Sequence, residues 1–140
     1  MFNTILVGID GSQHALNAAK LAGEIARQNQ SGTLWVVTCL GPIPTYLGTP
    51  YLDFNIEERM RDAERILKPA LDAIGSIPGE IKTEILEENP AEAILKVAEA
   101  RRVDLILMGT RGLGSFSGLL LGSQSHKVIA HAHCPVLVTR

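Results

Sequence analysis

Hydrophobic residues along this chain alternate between short continuous runs and stretches with helical spacing. Five short aliphatic runs predict β-strands, at residues 4–9, 33–38, 81–86, 105–108 and 136–139. The first run is apolar throughout, which is typical of a strand buried on both faces of a parallel sheet. The third run alternates apolar and polar residues, which predicts an edge strand with one face in water.

The segments between these runs have the spacing of amphipathic helices. The predicted helices cover residues 13–27, 56–74, 90–101 and 123–130. Ser12 is expected to cap the first helix, and Asn89 with Pro90 has the residue types of a cap and a first helical turn. Pro69 lies inside the second predicted helix and should bend it, because proline removes a backbone donor.

Residues 41–55 contain three prolines and two tyrosines without periodicity, so they are expected to form a long surface loop. Alternating strands and helices predict an α/β fold, a Rossmann-like open parallel five-stranded sheet with helices on both faces. If the strand order is 3-2-1-4-5, the loops after the first and fourth strands are neighbours where the order reverses, the usual ligand position. Without a repeat or a boundary, residues 1–140 are expected to form a single domain.

Composition restricts the class of protein. The chain is 46% hydrophobic and 20% charged with a formal charge of −2, so no nucleic-acid or membrane-surface partner is expected. No apolar run approaches the roughly 20 residues that span a bilayer. The first residues lack the basic region and cleavage site of a signal peptide, and two cysteines make no disulfide framework. A cytoplasmic protein is expected.

A spaced set of small residues follows the fourth apolar run. Gly109, Gly112, Gly122 and Ser123 have the spacing G-x2-G-x9-G-S and lead into the last predicted helix. Glycines let backbone N–H groups approach a ligand, and unpaired amides with the helix dipole favour an anion. The pattern predicts a phosphate site with a hydroxyl at the helix cap, and therefore nucleotide binding.

The sequence does not fit two better-known nucleotide-binding motifs or a histidine metal site. A Walker A loop needs a Gly-Lys pair, which this chain does not contain. A dinucleotide fingerprint belongs after the first strand, and the glycines here follow the fourth. His126 and His131 are five residues apart on a helix, about 140° around its axis, which is poor geometry for one metal ion. No metal ligands are therefore expected in the protein.

Four stretches resemble the universal stress protein family. They are Val-Gly-Ile-Asp-Gly-Ser at 7–12, Asp-Leu-Ile-Leu-Met-Gly-Thr-Arg-Gly at 104–112, Leu-Gly-Ser at 121–123 and His-Cys-Pro-Val-Leu-Val at 133–138. The resemblance covers essentially the whole chain. Members that keep the glycine pattern bind ATP and members that have lost it do not. This chain keeps every position, so the resemblance implies ATP, with Mg²⁺ bound through the phosphates.

The resemblance also implies a set of site residues. Asp10 would accept hydrogen bonds from the ribose hydroxyls, and the backbone of Val36, with Val37 as the alternative, would pair with the adenine edge. The residues implied around the phosphates are Gly109, Gly112, Gly122 and Ser123, with Ser125 as a further hydroxyl donor and Arg111 as a possible contact. A homodimer would form through the last strand, Val136–Thr139, which is apolar and unprotected at the sheet edge.

The expected function is therefore ATP binding by a nucleotide-gated stress-response or signalling module, with at most slow ATP hydrolysis. No catalytic residues are assigned from the sequence. Two alternatives remain open. One is an adenylating enzyme of the adenine-nucleotide α-hydrolase-like group, and the other is a flavodoxin-like FMN carrier, which would place its phosphate loop after the first strand.

Overall fold

The computed structural model of the chain describes residues 1–40, 49–110 and 122–140, with the backbone alone for 49–55. Strands and helices alternate along these residues. The strands are β1 (Thr4–Ile9), β2 (Thr33–Cys39), β3 (Glu80–Leu86), β4 (Leu105–Gly109) and β5 (Val136–Thr139). The helices are α1 (Gln13–Asn29), α2 (Thr49–Ile74), α3 (Pro90–Ala100) and α4 (Ser123–His131). All five predicted strands are present.

The strands form one sheet in the order β3-β2-β1-β4-β5, and each neighbouring pair is parallel, as predicted. The register places Val7 of β1 beside Val36 of β2 and Leu107 of β4. These three side chains are fully buried. The continuous apolar runs of the sequence thus become the centre of a sheet that is covered on both faces.

Two hydrophobic layers hold the helices against the sheet. On one face, Ile5 and Val7 pack with α1 and α2, whose buried contacts include Ala22 and Leu67. On the other face, Leu6, Val37, Ile106 and Met108 pack with residues of α3 and α4, including Ile94, Val97 and Val128. Side chains alternate between the two layers along each strand, because successive strand residues point to opposite faces.

Helix α1 faces the sheet with small side chains. Its buried residues are Ala15, Ala18, Ala19, Ala22, Gly23 and Ala26. Ser12 caps the helix as predicted, and its side-chain oxygen accepts a hydrogen bond from the Ala15 N–H at 3.2 Å. The alanine face brings the start of α1 close to the carboxyl ends of the strands.

Helix α2 differs from the prediction. Residues 49–55 belong to the helix, so this part of the predicted loop at 41–55 was wrong, and residues 41–48 lie outside the described residues. Pro50 is one of the three prolines that favour a loop in the sequence, and it lies instead in the first turn of α2. Proline is tolerated in a first helical turn, where its missing N–H would have no intrahelical partner. Pro69 lies inside α2 without ending it.

The sheet has two edges, β3 and β5. The predicted edge position of β3 is confirmed, and several of its side chains are exposed. At the amino ends of the strands, the Asp104 carboxylate accepts hydrogen bonds from the N–H groups of Asn3 (3.0 Å) and Thr4 (2.9 Å). Within the described residues, no helix is long and apolar enough to cross a membrane.

Candidate functional site

A cavity of about 380 Å³ lies at the carboxyl ends of β1, β2 and β4. Here the strand order reverses, because β1 has β2 on one side and β4 on the other. The carboxyl ends of β1 and β4 are therefore neighbours, at the place where open α/β sheets bind ligands. The apolar wall of the cavity is formed mainly by Ile9, Val37, Ile94 and Met108. Both its volume and its apolar wall fit a small-molecule site.

Three helices begin beside this cavity. Ser12 before α1, Pro90 at the start of α3 and Gly122 before α4 all line it. The amino ends of α3 and α4 are joined, because the side-chain oxygen of Gln124 accepts a hydrogen bond from the Ala91 N–H at 2.9 Å. Helix amino ends carry partial positive charge and unpaired N–H groups. The cavity is therefore suited to an anionic ligand.

Asp10 lies between β1 and α1 and lines the cavity. One of its carboxylate oxygens accepts a hydrogen bond from the Ser12 N–H at 2.9 Å, which closes the short turn into α1. An ionised carboxylate has about four acceptor positions. Asp10 can therefore shape this turn and still accept hydrogen bonds from a ligand hydroxyl.

The carboxyl end of β2 presents Val37 and Cys39 to the cavity. Val36, the predicted adenine contact, packs its side chain in the layer under α1 and α2, on the opposite face of the sheet from Val37. The side chain at the cavity is thus that of the alternative residue. A contact from the β2 backbone to a base stays a prediction.

Cys39 was not recognised as a site residue in the sequence, although its position at a strand end was a usable signal. Burial, and secondly the charge of Glu88, raises the pKa of the Cys39 thiol from 9.0 to about 11. A thiol of this kind stays neutral at physiological pH and is a poor nucleophile. At the cavity, Cys39 therefore acts as part of an apolar wall.

Gly109 ends β4 at the cavity, and Gly122 and Ser123 lie across from it at the start of α4. The predicted hydroxyl cap on α4 was wrong. Gly122 occupies the N-cap position with extended backbone angles (φ −71°, ψ 159°), and Ser123 is already the first helical residue. Glycine is accepted at N-caps, so a serine is not needed there. Arg111 and Gly112 lie outside the described residues.

Ser125 is buried on the first turn of α4 and lines the cavity. Its hydroxyl donates to the carbonyl oxygen of Gly109 at 2.8 Å and approaches that of Thr110 at 3.4 Å. A serine hydroxyl has one proton, which is used here. Ser125 thus ties α4 to the end of β4, and donation to a phosphate would require it to release Gly109.

Charge in the described part of the cavity comes from one side chain and from the amino ends of helices. Asp10 is the one charged side chain among the described residues that line it. Across residues 1–40, 49–110 and 122–140, no group of three or more His, Cys, Asp or Glu side chains could hold a metal ion. The described residues therefore form no metal site of this kind.

Comparisons with known proteins agree with this architecture. The model of the "Universal stress protein family" matches residues 1–140. A universal stress protein from Thermus aquaticus, "in QAH/OAS sulfhydrylase 3'region", is 46% identical over 140 residues, with all of both chains covered. The structure of UspA from Lactobacillus plantarum superimposes with a TM-score of 0.84, 27% identity and coverage of 99% and 98%. A universal stress protein solved in complex with cAMP has a TM-score of 0.67, 28% identity and coverage of 99% and 97%. This chain belongs to the universal stress protein family.

Proposed function

We propose that this chain binds ATP and acts as a nucleotide-gated stress-response or signalling module with at most slow ATP hydrolysis. The observation that carries the proposal is the cavity at the reversal of strand order, where α1, α3 and α4 all begin. Three helix amino ends around an apolar wall suit a ligand with a flat aromatic base and an anionic group. A family member in complex with cAMP gives independent support for an adenine nucleotide.

In the proposed complex the two ends of the nucleotide contact different parts of the cavity. The adenine would lie on the apolar wall by Val37, with its edge on the β2 backbone at Val36 or Val37. The ribose hydroxyls would donate to Asp10. The phosphates would lie by Gly109, Gly122 and Ser123, where glycine allows close backbone approach. Arg111 and Gly112 belong to the same predicted phosphate region.

Mg²⁺ would enter as part of the nucleotide complex. The donor set fits this mode, because Asp10 is the one carboxylate lining the cavity among the described residues. Magnesium in nucleotide sites is held largely by phosphate oxygens and water. Bound there, it would neutralise phosphate charge in a cavity that no lysine or arginine lines among the described residues.

We propose that the protein performs this function in the cytoplasm.

A homodimer is also part of the proposal. β5 lies at a sheet edge, and its apolar residues Val136, Leu137 and Val138 are only partly buried. An apolar edge strand exposes unpaired N–H and C=O groups that favour pairing with another strand. A two-fold partner could pair the same strand antiparallel with itself.

Calorimetric titration with Mg²⁺-ATP tests the proposal directly. The wild-type chain should bind ATP, and Gly122→Val should abolish binding because a branched side chain would displace the backbone where the phosphates approach. Circular dichroism and the urea midpoint must show that the variant is folded. Undiminished affinity in a folded variant would remove the phosphate assignment.

The purified protein also distinguishes the two alternative functions, an FMN carrier and an adenylating enzyme. A flavin carrier would be yellow, and it would need a phosphate loop after β1, where Asp10, Gly11 and Ser12 are the whole connection to α1. Denaturation of the purified protein followed by absorbance of the supernatant identifies flavin or adenine. An adenylating enzyme would release pyrophosphate from ATP in the presence of its acceptor, whereas a gated module would not.

A further inference from the structure

Thr110 connects three parts of the molecule immediately after β4. Its N–H donates to the carbonyl oxygen of Thr139 at 2.8 Å, and its own carbonyl oxygen accepts from the Gly122 N–H. Its side-chain oxygen lies 3.0 Å from Nδ1 of His14 on α1. Every polar group of Thr110 is therefore used, and the residue joins β5, the start of α4 and the first turn of α1.

His14 is held at this junction by close packing as well as by the hydrogen bond. A β-carbon at Gly109 would lie 2.7 Å from the Cβ of His14 and 2.9 Å from its carbonyl carbon, so the two backbones are nearly in contact. His14 is part-buried in this position. The imidazole reaches Thr110 from a helix that is 96 residues away in the chain.

We propose that His14 is a positioning residue for the phosphate side of the site and acts through its hydrogen bond to Thr110. The inference rests on the proposed function, because it names which chain groups orient the phosphate-binding backbone. Thr110 follows Gly109 directly and accepts a hydrogen bond from the Gly122 N–H, and both glycines line the cavity. Fixing the Thr110 side chain therefore fixes the relative position of the two described glycines that are proposed to contact the phosphates.

The proposal predicts different effects on the phosphate end and the adenosine end of the nucleotide. Neither His14 nor Thr110 is among the described residues that line the cavity, whereas Gly109, next to Thr110, and Gly122, bonded to it, line it where the phosphates are proposed to bind. Loss of the His14–Thr110 hydrogen bond should therefore weaken binding of the triphosphate and leave adenosine almost unaffected. A merely structural role for His14 would weaken both ligands together.

The experiment measures ATP and adenosine affinities in a double-mutant cycle. His14→Ala and Thr110→Val should each lower ATP affinity about three- to tenfold, the range for one lost hydrogen bond. The double variant should lose no more than either single variant, because both remove the same interaction. His14→Asn, whose amide can replace Nδ1, and Thr110→Ser should restore ATP affinity. Adenosine affinity should change less than about twofold.

The matched control is Asn17→Ala, one turn further along α1. Asn17 donates to the backbone oxygen of Arg140 at 2.8 Å and makes no described contact with Thr110. This variant should keep wild-type ATP affinity. Additive losses in the cycle, or equal losses for adenosine and ATP, would overturn the proposal.

A second measurement needs no nucleotide and keeps this inference separate from the proposed function. Hydrogen exchange of the Gly122 amide, which donates to Thr110, should accelerate in His14→Ala and Thr110→Val but not in Asn17→Ala. A wild-type chain without ATP affinity would refute the proposed function, and the exchange rates would still decide the inference. Unchanged Gly122 exchange in His14→Ala would overturn the positioning role.

Discussion

The backbone of Gly109 lies against His14 so closely that a β-carbon on Gly109 would be 2.7 Å from the Cβ of His14. The other near atoms are the His14 carbonyl carbon at 2.9 Å and the Ala15 nitrogen at 3.0 Å. Gly109→Ala should therefore push α1 away from β4 and lower the free energy of unfolding by about 1–3 kcal/mol. Urea unfolding measures the loss.

Gly8→Ala is the matched control for this substitution. Its β-carbon would meet only the side chain of Ile94, with Cδ1 at 2.7 Å. A side-chain end can move more easily than a helix backbone, so Gly8→Ala should cost less stability than Gly109→Ala. The reverse order would contradict the close approach of α1 to β4.

Asp10→Ala should weaken ATP binding by about 1–3 kcal/mol, the cost of losing a charged acceptor. The same change should hardly affect a 2′,3′-dideoxy analogue, which has no ribose hydroxyls to donate to the carboxylate. Because Asp10 also accepts from the Ser12 N–H, thermal unfolding of the variant serves as the control for the turn. Equal losses for both ligands would show that Asp10 does not contact the ribose.

Cys39 should react slowly with iodoacetamide, and its reaction rate should rise over a higher pH range than that of an ordinary thiol. Its pKa is raised to about 11, so the reactive thiolate is scarce at pH 8 and keeps increasing well above pH 9, the ordinary value. The measurement uses Cys134→Ser, which leaves Cys39 as the one thiol, between pH 8 and 10. Saturating ATP should slow the reaction further, since Cys39 lines the cavity. A rate that levels off near pH 9 would contradict the burial of this thiol.

Asp104→Ala should destabilise the fold without affecting the nucleotide. The carboxylate, just before β4, accepts from the N–H groups of Asn3 and Thr4 at the amino end of β1, so its loss should cost about 1–3 kcal/mol of unfolding free energy. Asp104→Asn should retain part of this stability, because an amide oxygen can also accept. ATP affinity should stay at the wild-type value, since the cavity lies at the other ends of the strands.

Val138→Lys should convert the proposed dimer into a monomer. The substitution places a charge on the apolar edge strand β5, where pairing with another copy would bury it. Sedimentation equilibrium at micromolar concentration measures the mass of both proteins. A wild-type mass near 15.1 kDa, that of a single chain, would refute the dimer.

Local patterns in the sequence were sufficient to predict the sheet. Each strand is a short aliphatic run, and the alternation of strands with helices restricts the fold to a parallel sheet covered on both faces. The start of α2 was missed because Pro50 has the same appearance in a loop and in a first helical turn. The cap of α4 was missed because Gly122 has no side chain whose chemistry indicates a cap.

The candidate site was predicted less completely than the fold. The glycines and Asp10 stood out because they follow strand ends in the sequence. The hydrogen bond between His14 and Thr110 could not be predicted, because the two residues meet across 96 residues and periodicity describes only neighbouring positions. Gln124 was missed for the same reason, since its partner Ala91 is on another helix.

The hydrogen bond between Thr110 and Gly122 has a consequence for how this protein can change in evolution. The Gly122 N–H donates to the carbonyl oxygen of Thr110, so the end of β4 and the start of α4 are joined directly by backbone atoms. A substitution that moves one of these two residues should move the other as well. The two positions are therefore expected to change together among relatives rather than independently.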